Sequence, residues 1–307
     1  MGFLLSFLSA LPGAIGQGLI WGIMALGVYI TYKILDVADL TVDGTLATGG
    51  AVCVMLTRLG VNPWVSLLVS FIAGLIAGFV TGILTTRCGI PPILAGILTQ
   101  LSLYSINLRI MQGKANQAVN VDKYHLLVSQ RYVRELSLRN PLILLLISIA
   151  VIIVLLYLFF GTELGSSLRA TGTNQNMARA QGIDTKYNIV LGLMLSNGLV
   201  AIAGALLAQY QGAADVGMGR GAIVIGLAAV IIGEVLFSKV FRNFALKMLA
   251  CVIGAVIYYI VLQIVLQLGL NTNDLKMLTA IIVAIFLAAP YWKNSVLQKK
   301  AGGKKNA

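Results

Sequence analysis

Residues 65–86 read VSLLVSFIAGLIAGFVTGILTT, an apolar run that contains no charged side chain. A helix that crosses a bilayer needs about 20 consecutive, mostly apolar residues, and this run is long enough. Gly74, Gly78 and Gly82 recur every four residues, so they share one face of the helix. In lipid, such a face lets two helix backbones approach closely. The run therefore predicts a membrane-spanning helix that packs tightly against a neighbour through its glycines.

The composition of the whole chain indicates the same class of protein. Of its 307 residues, 59% are hydrophobic and 10% are charged, and the mean hydropathy is +0.93. This leaves too little polar surface to cover a soluble globule of that length. Nine segments are candidate spans: 14–32, 44–60, 65–86, 91–111, 141–161, 187–210, 222–237, 248–268 and 278–291. We expect an all-α, polytopic membrane protein with about eight to ten transmembrane helices.

The basic residues indicate how the chain is oriented. Four lysines lie in the tail QKKAGGKKNA, after the last apolar segment, and such residues hold a chain end in the cytoplasm. We expect a basic cytoplasmic tail at 294–307 and a single transmembrane domain at 1–293. The loop 112–139 is also basic, yet this orientation would place it outside the cytoplasm, against the preference of basic residues for the cytoplasmic side. Residues 1–10 read as a short interfacial helix that ends near Pro12, and nine spans would place this end outside.

A stretch rich in aspartate and threonine interrupts the apolar pattern. Residues 36–50 read DVADLTVDGTLATGG and bring Asp39 and Asp43 into apolar surroundings. Irregular backbone is tolerated at membrane depth only where protein or water surrounds it. We therefore expect a broken or half-spanning second segment in the interior of the helix bundle. The two carboxylates could cap a helix N-terminus, line a pathway, or do both.

Two other apolar segments carry polar side chains. Gln100, Tyr104 and Asn107 share one face of the segment 91–111 and should look into the protein, either to line a translocation path or to hydrogen-bond to another helix. Glu234 is the one carboxylate well inside a late apolar segment. It is a functional candidate, or else a side chain that reaches the membrane interface near Lys239 and Arg242.

A long polar run between two spans, GSSLRATGTNQNMARAQGID, occupies residues 165–184. It must lie outside the lipid, where it could dock another protein or form a solvated loop. Residues 174–181 are long enough for a helix of two turns, about 12 Å. Thr173 or Asn174 can cap its start, and Gly182 can end it in the left-handed conformation.

No motif of a soluble enzyme occurs in a sequence context that fits it. Residues 217–222, GMGRGA, superficially match the dinucleotide-binding glycine pattern but follow a predicted membrane span and lack the rest of a βαβ unit, so we expect a turn. The chain has no GKS or GKT of a phosphate-binding loop. One histidine, His125, and three dispersed cysteines give no cluster of metal ligands. We expect no catalysis, no metal and no cofactor on this chain.

Taken together, three stretches resemble the permease subunits of bacterial ABC importers in the branched-chain amino acid and ribose permease superfamily. They are residues 22–51, 165–183 and 226–234, and the order of features along the rest of the sequence extends the likeness to nearly the whole chain. The middle stretch is the most specific, since its arginine, glycine, asparagine and terminal Gly-Ile follow the order seen in the family. The chain departs from the family after Glu234, where Val-Leu-Phe-Ser-Lys replaces a glycine-rich turn.

The resemblance implies a subunit of an ATP-driven importer in the bacterial cytoplasmic membrane. Two copies of the chain would form a central path, two separate ATPase subunits would bind ATP and magnesium, and an extracytoplasmic binding protein would deliver the solute. The coupling loop 163–186 would place a cytoplasmic helix in a cleft of the ATPase. Its contact residues would be Arg169, Thr171, Gly172, Asn174, Ala178 and Gly182.

The resemblance also implies where the solute passes and what it is. The path would be lined by Asp43, Thr45, Gln100, Tyr104 and Asn107. The solute would be a small polar nutrient, with an amino acid, such as an aromatic one, ahead of a sugar, a nucleoside or a vitamin. Two alternatives from other classes remain. One is a secondary transporter driven by an ion gradient, for which Glu234 is the candidate coupling residue. The other is a passive channel or a non-transporting membrane scaffold.

Overall fold

The computed structural model describes residues 2–133, 140–237, 240–241 and 243–267, and residues 277, 279–281, 283–285 and 288. Up to residue 267, these described residues form ten α-helices and two short strands. The helices are α1 (Gly2–Tyr29), α2 (Thr41–Arg58), α3 (Pro63–Thr86), α4 (Pro92–Ile110), α5 (Pro141–Gly161), α6 (Glu163–Thr173), α7 (Gln175–Ala180), α8 (Thr185–Gln211), α9 (Ala222–Phe237) and α10 (Phe244–Gln267). The strands β1 (Asn116–Ala118) and β2 (Ala213–Asp215) pair antiparallel. The expected all-α, polytopic class is confirmed.

Among the described residues, six helices are long and apolar enough to cross a membrane. They are α1 with its continuation to Ile34, α3, α4, α5, α8 and α10. The apolar helix α9 is shorter, at 16 residues, and α2 carries three threonines and an aspartate among its first eight residues. Most of the last predicted span, 278–291, lies outside the described residues.

The first helix corrects one prediction. No separate interfacial helix ends near Pro12, because α1 continues through this residue to Tyr29. A proline inside a helix removes one backbone hydrogen bond, which membrane helices tolerate where their neighbours compensate. The helix ends instead in a π-helical turn, Ile30–Ile34, followed by Asp36 with a φ of 55°. The expected interruption thus lies between Ile34 and Thr41, and α2 is continuous beyond it.

The buried centre of the fold is α8, which packs against α1, α2 and α3. The glycine face of α3 lies directly on it. A Cβ atom at Gly74 or Gly78 would collide with a backbone carbonyl oxygen of α8, and one at Gly82 would lie 2.9 Å from the Cα atom of Val190. Two helix backbones approach this closely only where side chains are absent.

The two ends of the helix bundle are built differently. At one end, here called the α7 end, α6 lies beside the π-helical turn that follows α1, and α7 lies beside α8. A Cβ atom at Gly172 of α6 would collide with the carbonyl oxygen of Ile34 in that turn. At the other, the strand end, β1, β2 and residues 119–133 lie beside the ends of α2 and α8. There the Tyr124 hydroxyl donates to the Arg58 carbonyl at 3.0 Å.

Candidate functional site

A hydrogen-bonded centre joins the start of α2 to the middle of α8. The Asn197 amide donates to Asp39 Oδ2 at 2.7 Å and accepts from the Thr45 hydroxyl at 2.7 Å. Asp39 Oδ1 accepts from the backbone N–H of Thr41 at 2.9 Å. All four residues are buried. Because a buried carboxylate is costly without hydrogen bonds, this network fixes the start of α2 against α8.

The carboxylate of Asp43 caps a helix other than its own. Its oxygens accept from the backbone N–H groups of Gly221 at 2.9 Å and Ile223 at 3.0 Å, at the start of α9. Such N–H groups lack partners within their helix and carry partial positive charge, so a carboxylate stabilises them. A Cβ atom at Gly219 would collide with the Asp43 carbonyl oxygen, so the chain before α9 lies directly on α2.

Asp43 also borders a cavity of about 250 Å³ between α2, α4 and the turn before α9. The lining residues are Asp43, Gly44, Gln100, Leu101, Tyr104, Asn107, Val216 and Arg220. The structure therefore brings together four of the five predicted path residues. Thr45 is the exception, because its hydroxyl donates to Asn197 and its side chain is buried against α8.

Two side chains give this cavity its chemistry. Asn107 is 1% exposed, and neither atom of its amide has a hydrogen-bond partner among the described residues. The guanidinium of Arg220 lies over the ring of Tyr104, 6.0 Å from the ring centroid. The sequence indicated the turn at 217–222 correctly, but it gave no reason to single out Arg220. The available signal was one arginine placed directly before an apolar helix.

At the α7 end, the predicted caps of the short helix are confirmed. Asn174 Oδ1 accepts from the backbone N–H groups of Asn176 and Met177, both at 3.0 Å. Gly182 follows the helix with a φ of 82°, and the N–H of Ile183 donates to the Ala178 carbonyl at 3.0 Å. This pairing is the ordinary way in which a glycine ends a helix.

The helix α6 was not predicted, since its sequence is rich in serine, glycine and threonine. Thr162 caps it by accepting from the N–H of Gly165 at 3.3 Å, and Leu168 is its fully buried apolar side chain. A short helix of weak intrinsic propensity is stable when it packs against the rest of the protein. The run 165–184 is therefore two packed helices and not a loop.

Three of the six residues predicted to contact an ATPase are turned toward the chain itself. Thr171 and Ala178 are fully buried, and Gly172 lies against Ile34. The Thr171 hydroxyl accepts from the Asn188 amide of α8 at 2.9 Å. Since a buried side chain is not available to a partner, these residues fasten α6 and α7 to α1 and α8.

The other three lie at the surface. Arg169 is exposed, yet it donates to the Phe160 carbonyl at 2.9 Å and lies over the ring of Phe244. Asn174 and Gly182 are exposed at the two ends of α7. Every residue between them except Ala178 is exposed, and Gln175, Asn176 and Met177 form the first turn of α7, with Met177 45% exposed. Sequence reasoning did not select these three because it could not tell which face of α7 is buried.

Glu234 forms an ion pair with Lys33, in which Nζ lies 2.7 Å from Oε1. Both side chains are about half exposed, at 46% and 47%. The pair ties the end of α9 to the π-helical turn after α1. The basic residues at 239 and 242, which the sequence offered as neighbours of this carboxylate, lie outside the described residues.

Comparison with known proteins places residues 11–289 of the chain in one family. The sequence profile described as the permease component of branched-chain amino acid transport systems matches residues 11–289. The tyrosine transport system permease protein of Clostridioides difficile (strain R20291) is 41% identical over 281 residues, 92% of this chain and 91% of that protein. A fructose import permease protein of Bifidobacterium longum (strain NCC 2705) is 28% identical over 248 residues, 80% of this chain and 68% of that protein.

A solved structure has the same fold. It is described as an inward-facing conformation of an ABC transporter of the metal-chelate type, and it covers 92% of this chain and 85% of its own with a TM-score of 0.52. The two sequences are 16% identical, so this likeness concerns the arrangement of helices alone.

Proposed function

We propose, since the chain belongs to the permease family of branched-chain amino acid transport systems, that it forms the solute path of an ATP-driven importer for a small polar nutrient, with an amino acid as the favoured solute. The chain is a permease subunit and not an enzyme. In this proposal two copies face each other across the path, and two separate ATPase subunits bind ATP and magnesium. A binding protein outside the membrane delivers the solute.

The observation that carries this proposal is the capped helix α7 with its two unlike faces. Ala178 is fully buried against the chain, whereas Met177 and its polar neighbours Gln175 and Asn176 are exposed. An exposed methionine within a polar surface suits a contact with another protein, because its side chain adapts to an apolar pocket. We assign this face to the ATPase contact, in place of the buried residues Thr171 and Ala178.

Contacts from α7 lead directly into the core. Arg179 of α7 donates through Nε to the Thr185 hydroxyl at the start of α8, at 2.9 Å. Further along α8, Asn197 binds Asp39 before α2. Asp43, in the first turn of α2, then holds the start of α9. Movement of α7 by an ATPase would reach the cavity through this continuous series of contacts.

The cavity beside Asp43 is the part of the chain that we assign to the solute path. Its walls carry amide, hydroxyl and guanidinium groups, at Gln100, Tyr104, Asn107 and Arg220. Polar groups inside a membrane protein face a pathway or another polar group, because lipid does not solvate them. The relative that transports tyrosine favours an amino acid as solute, and the fructose relative marks the alternative class.

This function orients the chain in the bacterial cytoplasmic membrane. An ATPase acts on the side where ATP is present, so α7 lies at the cytoplasmic face and the strand end lies outside. The basic tail at 294–307 would then be cytoplasmic as well, as expected for lysines next to a last span. That tail lies outside the described residues.

Co-purification tests the proposal. The chain would be extracted in mild detergent through an affinity tag, and bound protein assayed for ATP hydrolysis. We expect an ATPase subunit to co-purify with the natural chain and to be lost with Met177→Asp, which places a charge on the exposed face of α7. Leu59→Asp is the matched control, because Leu59 is 75% exposed at the strand end. Loss of the subunit with both variants, or its absence from the natural complex, would contradict the proposal.

A further inference from the structure

The cavity between α2, α4 and the start of α9 contains a positive charge without a partner. Arg220 lies on its wall, in the turn before α9. The described residues form two ion pairs, Lys33–Glu234 and Arg131–Asp122, and neither includes this arginine. Its side chain is exposed, and a charged group within a membrane protein usually has a role in binding or transport.

The carboxylate on the cavity wall does not neutralise Arg220. Both oxygens of Asp43 accept backbone N–H groups at the start of α9, from Gly221 and Ile223. The negative charge of Asp43 is thus matched to the positive end of the helix dipole. The guanidinium keeps its hydrogen-bond donors for another acceptor.

A second polar group in the same cavity also lacks a partner. Asn107 is almost fully buried, and both its Oδ1 and Nδ2 atoms are unpaired among the described residues. Buried amides without partners are rare in native proteins, where such groups bind other residues, water or a ligand. Because Asn107 lines the cavity, its free donor and acceptor are placed to meet a molecule that enters it.

The neighbouring tyrosine orients the guanidinium. Arg220 lies over the face of Tyr104, 6.0 Å from the ring centroid. A guanidinium held by an aromatic ring keeps the N–H groups of its planar edge free. That edge matches the two oxygens of a carboxylate, which arginine binds through two parallel hydrogen bonds.

We propose that Arg220 and Asn107 form a carboxylate-binding checkpoint within the solute path, with Tyr104 as the residue that positions the guanidinium. This inference rests on the proposed function and adds that the permease itself selects its solute. A carboxylate binds the guanidinium edge, and the Asn107 amide bonds a second polar group of the same molecule. An uncharged sugar leaves the arginine unpaired and is therefore disfavoured. The cavity volume of about 250 Å³ suits a small molecule.

The test is direct binding to the purified complex in lipid nanodiscs, with the external binding protein left out. The probes are radiolabelled L-tyrosine and L-leucine, their methyl esters, and D-ribose. Each ester retains the amino group and the side chain but lacks the carboxylate charge. We expect one of the two amino acids to bind, and its ester and ribose to bind at least about tenfold more weakly.

Variants separate the checkpoint from a general loss of structure. Arg220→Gln should weaken amino acid binding at least about tenfold and reduce the preference over the ester, and Arg220→Lys should restore part of it. Arg109→Gln is the matched control, since Arg109 is an exposed arginine of the same helix as Asn107 and does not line the cavity. It should bind as the natural chain does.

Three results would overturn the checkpoint: no binding of either amino acid up to about 10 mM, equal binding of acid and ester, or equal effects of Arg220→Gln and Arg109→Gln. If an ATPase co-purifies while one of these results is found, the checkpoint alone is wrong. If no ATPase co-purifies, the proposed function has failed, whatever binds to the cavity.

Discussion

Asn197, in the middle of α8, donates a hydrogen bond of 2.7 Å to the buried carboxylate of Asp39, which precedes α2. The two residues are far apart in sequence, yet their contact joins the helix that begins beside α7 to the segment that borders the cavity. The same amide accepts from Thr45, so it fixes two points of the chain around the start of α2. The proposed transmission from α7 to the cavity passes through this one side chain.

Replacement of this side chain should destabilise the whole fold. In Asn197→Leu, the Asp39 carboxylate and the Thr45 hydroxyl both lose a buried partner, at a cost of about 3 kcal/mol in the free energy of unfolding. The expected result is a lower unfolding temperature of the detergent-solubilised chain. Combining it with Asp39→Leu provides the control, because the carboxylate is then absent. The double variant should lose less stability than the sum of the single variants, and full additivity would show that the two residues do not interact.

The contact between α6 and the end of α1 leaves no room for a side chain. A Cβ atom at Gly172 would collide with the backbone carbonyl oxygen of Ile34, so Gly172→Ala must displace α6. Displacement in a packed contact costs about 1–3 kcal/mol. We expect a lower unfolding temperature and weaker stimulation of ATP hydrolysis by solute.

Gly161→Ala is the matched control for this change. Gly161 ends α5, only a short distance along the chain, and its Cβ atom would meet nothing within 4 Å. We expect its unfolding temperature to be equal to or above that of the natural chain, since alanine favours helices over glycine by about 1 kcal/mol. Equal stability and equal stimulation in both alanine variants would contradict the tight contact at Gly172.

The cap that Asp43 provides to α9 should be visible in hydrogen exchange. Asp43→Ala removes the acceptor of the Gly221 and Ile223 N–H groups, and loss of a helix cap costs about 0.5–2 kcal/mol. We expect faster amide exchange in peptides that cover residues 216–226. Peptides from α5 should exchange as before, since α5 lies outside this contact. Unchanged exchange at 216–226 would mean that the carboxylate does not hold the start of α9.

The ion pair between Lys33 and Glu234 should contribute little. Both side chains are about half exposed, and such pairs contribute about 0–1 kcal/mol to stability. Glu234→Gln should therefore shift the unfolding temperature only slightly and leave ATP-dependent uptake intact. Complete loss of uptake by a stable, assembled variant would instead favour an ion-coupled transporter with Glu234 as the coupling residue.

Much of this architecture could be predicted from local patterns. Long apolar runs predict the spanning helices, because lipid leaves the backbone few other choices. The caps of α7 were also readable, since Asn174 and Gly182 act on N–H and C=O groups a few residues away. The π-helical turn after α1 and the helix α6 could not be predicted from local patterns, because tertiary contacts determine both.

The candidate site could be predicted even less completely, because contacts between distant segments determine it. The pattern of Gln100, Tyr104 and Asn107 predicted a polar face, but not the arginine opposite. Arg220 meets that face only because Asp43 holds the start of α9 beside α2. Likewise Thr45, one turn or less from Asp43 in sequence, belongs to the α8 contact and not to the cavity. No periodicity within α2 distinguishes these two surroundings.

The central claim is that ATP, acting through α7, drives solute through this chain. Its most direct test is uptake of radiolabelled L-tyrosine and L-leucine by proteoliposomes that contain the purified complex and its binding protein. We expect uptake with enclosed ATP, no uptake with ADP, and loss of uptake with Met177→Asp. Uptake that needs an ion gradient and proceeds without ATP would contradict it.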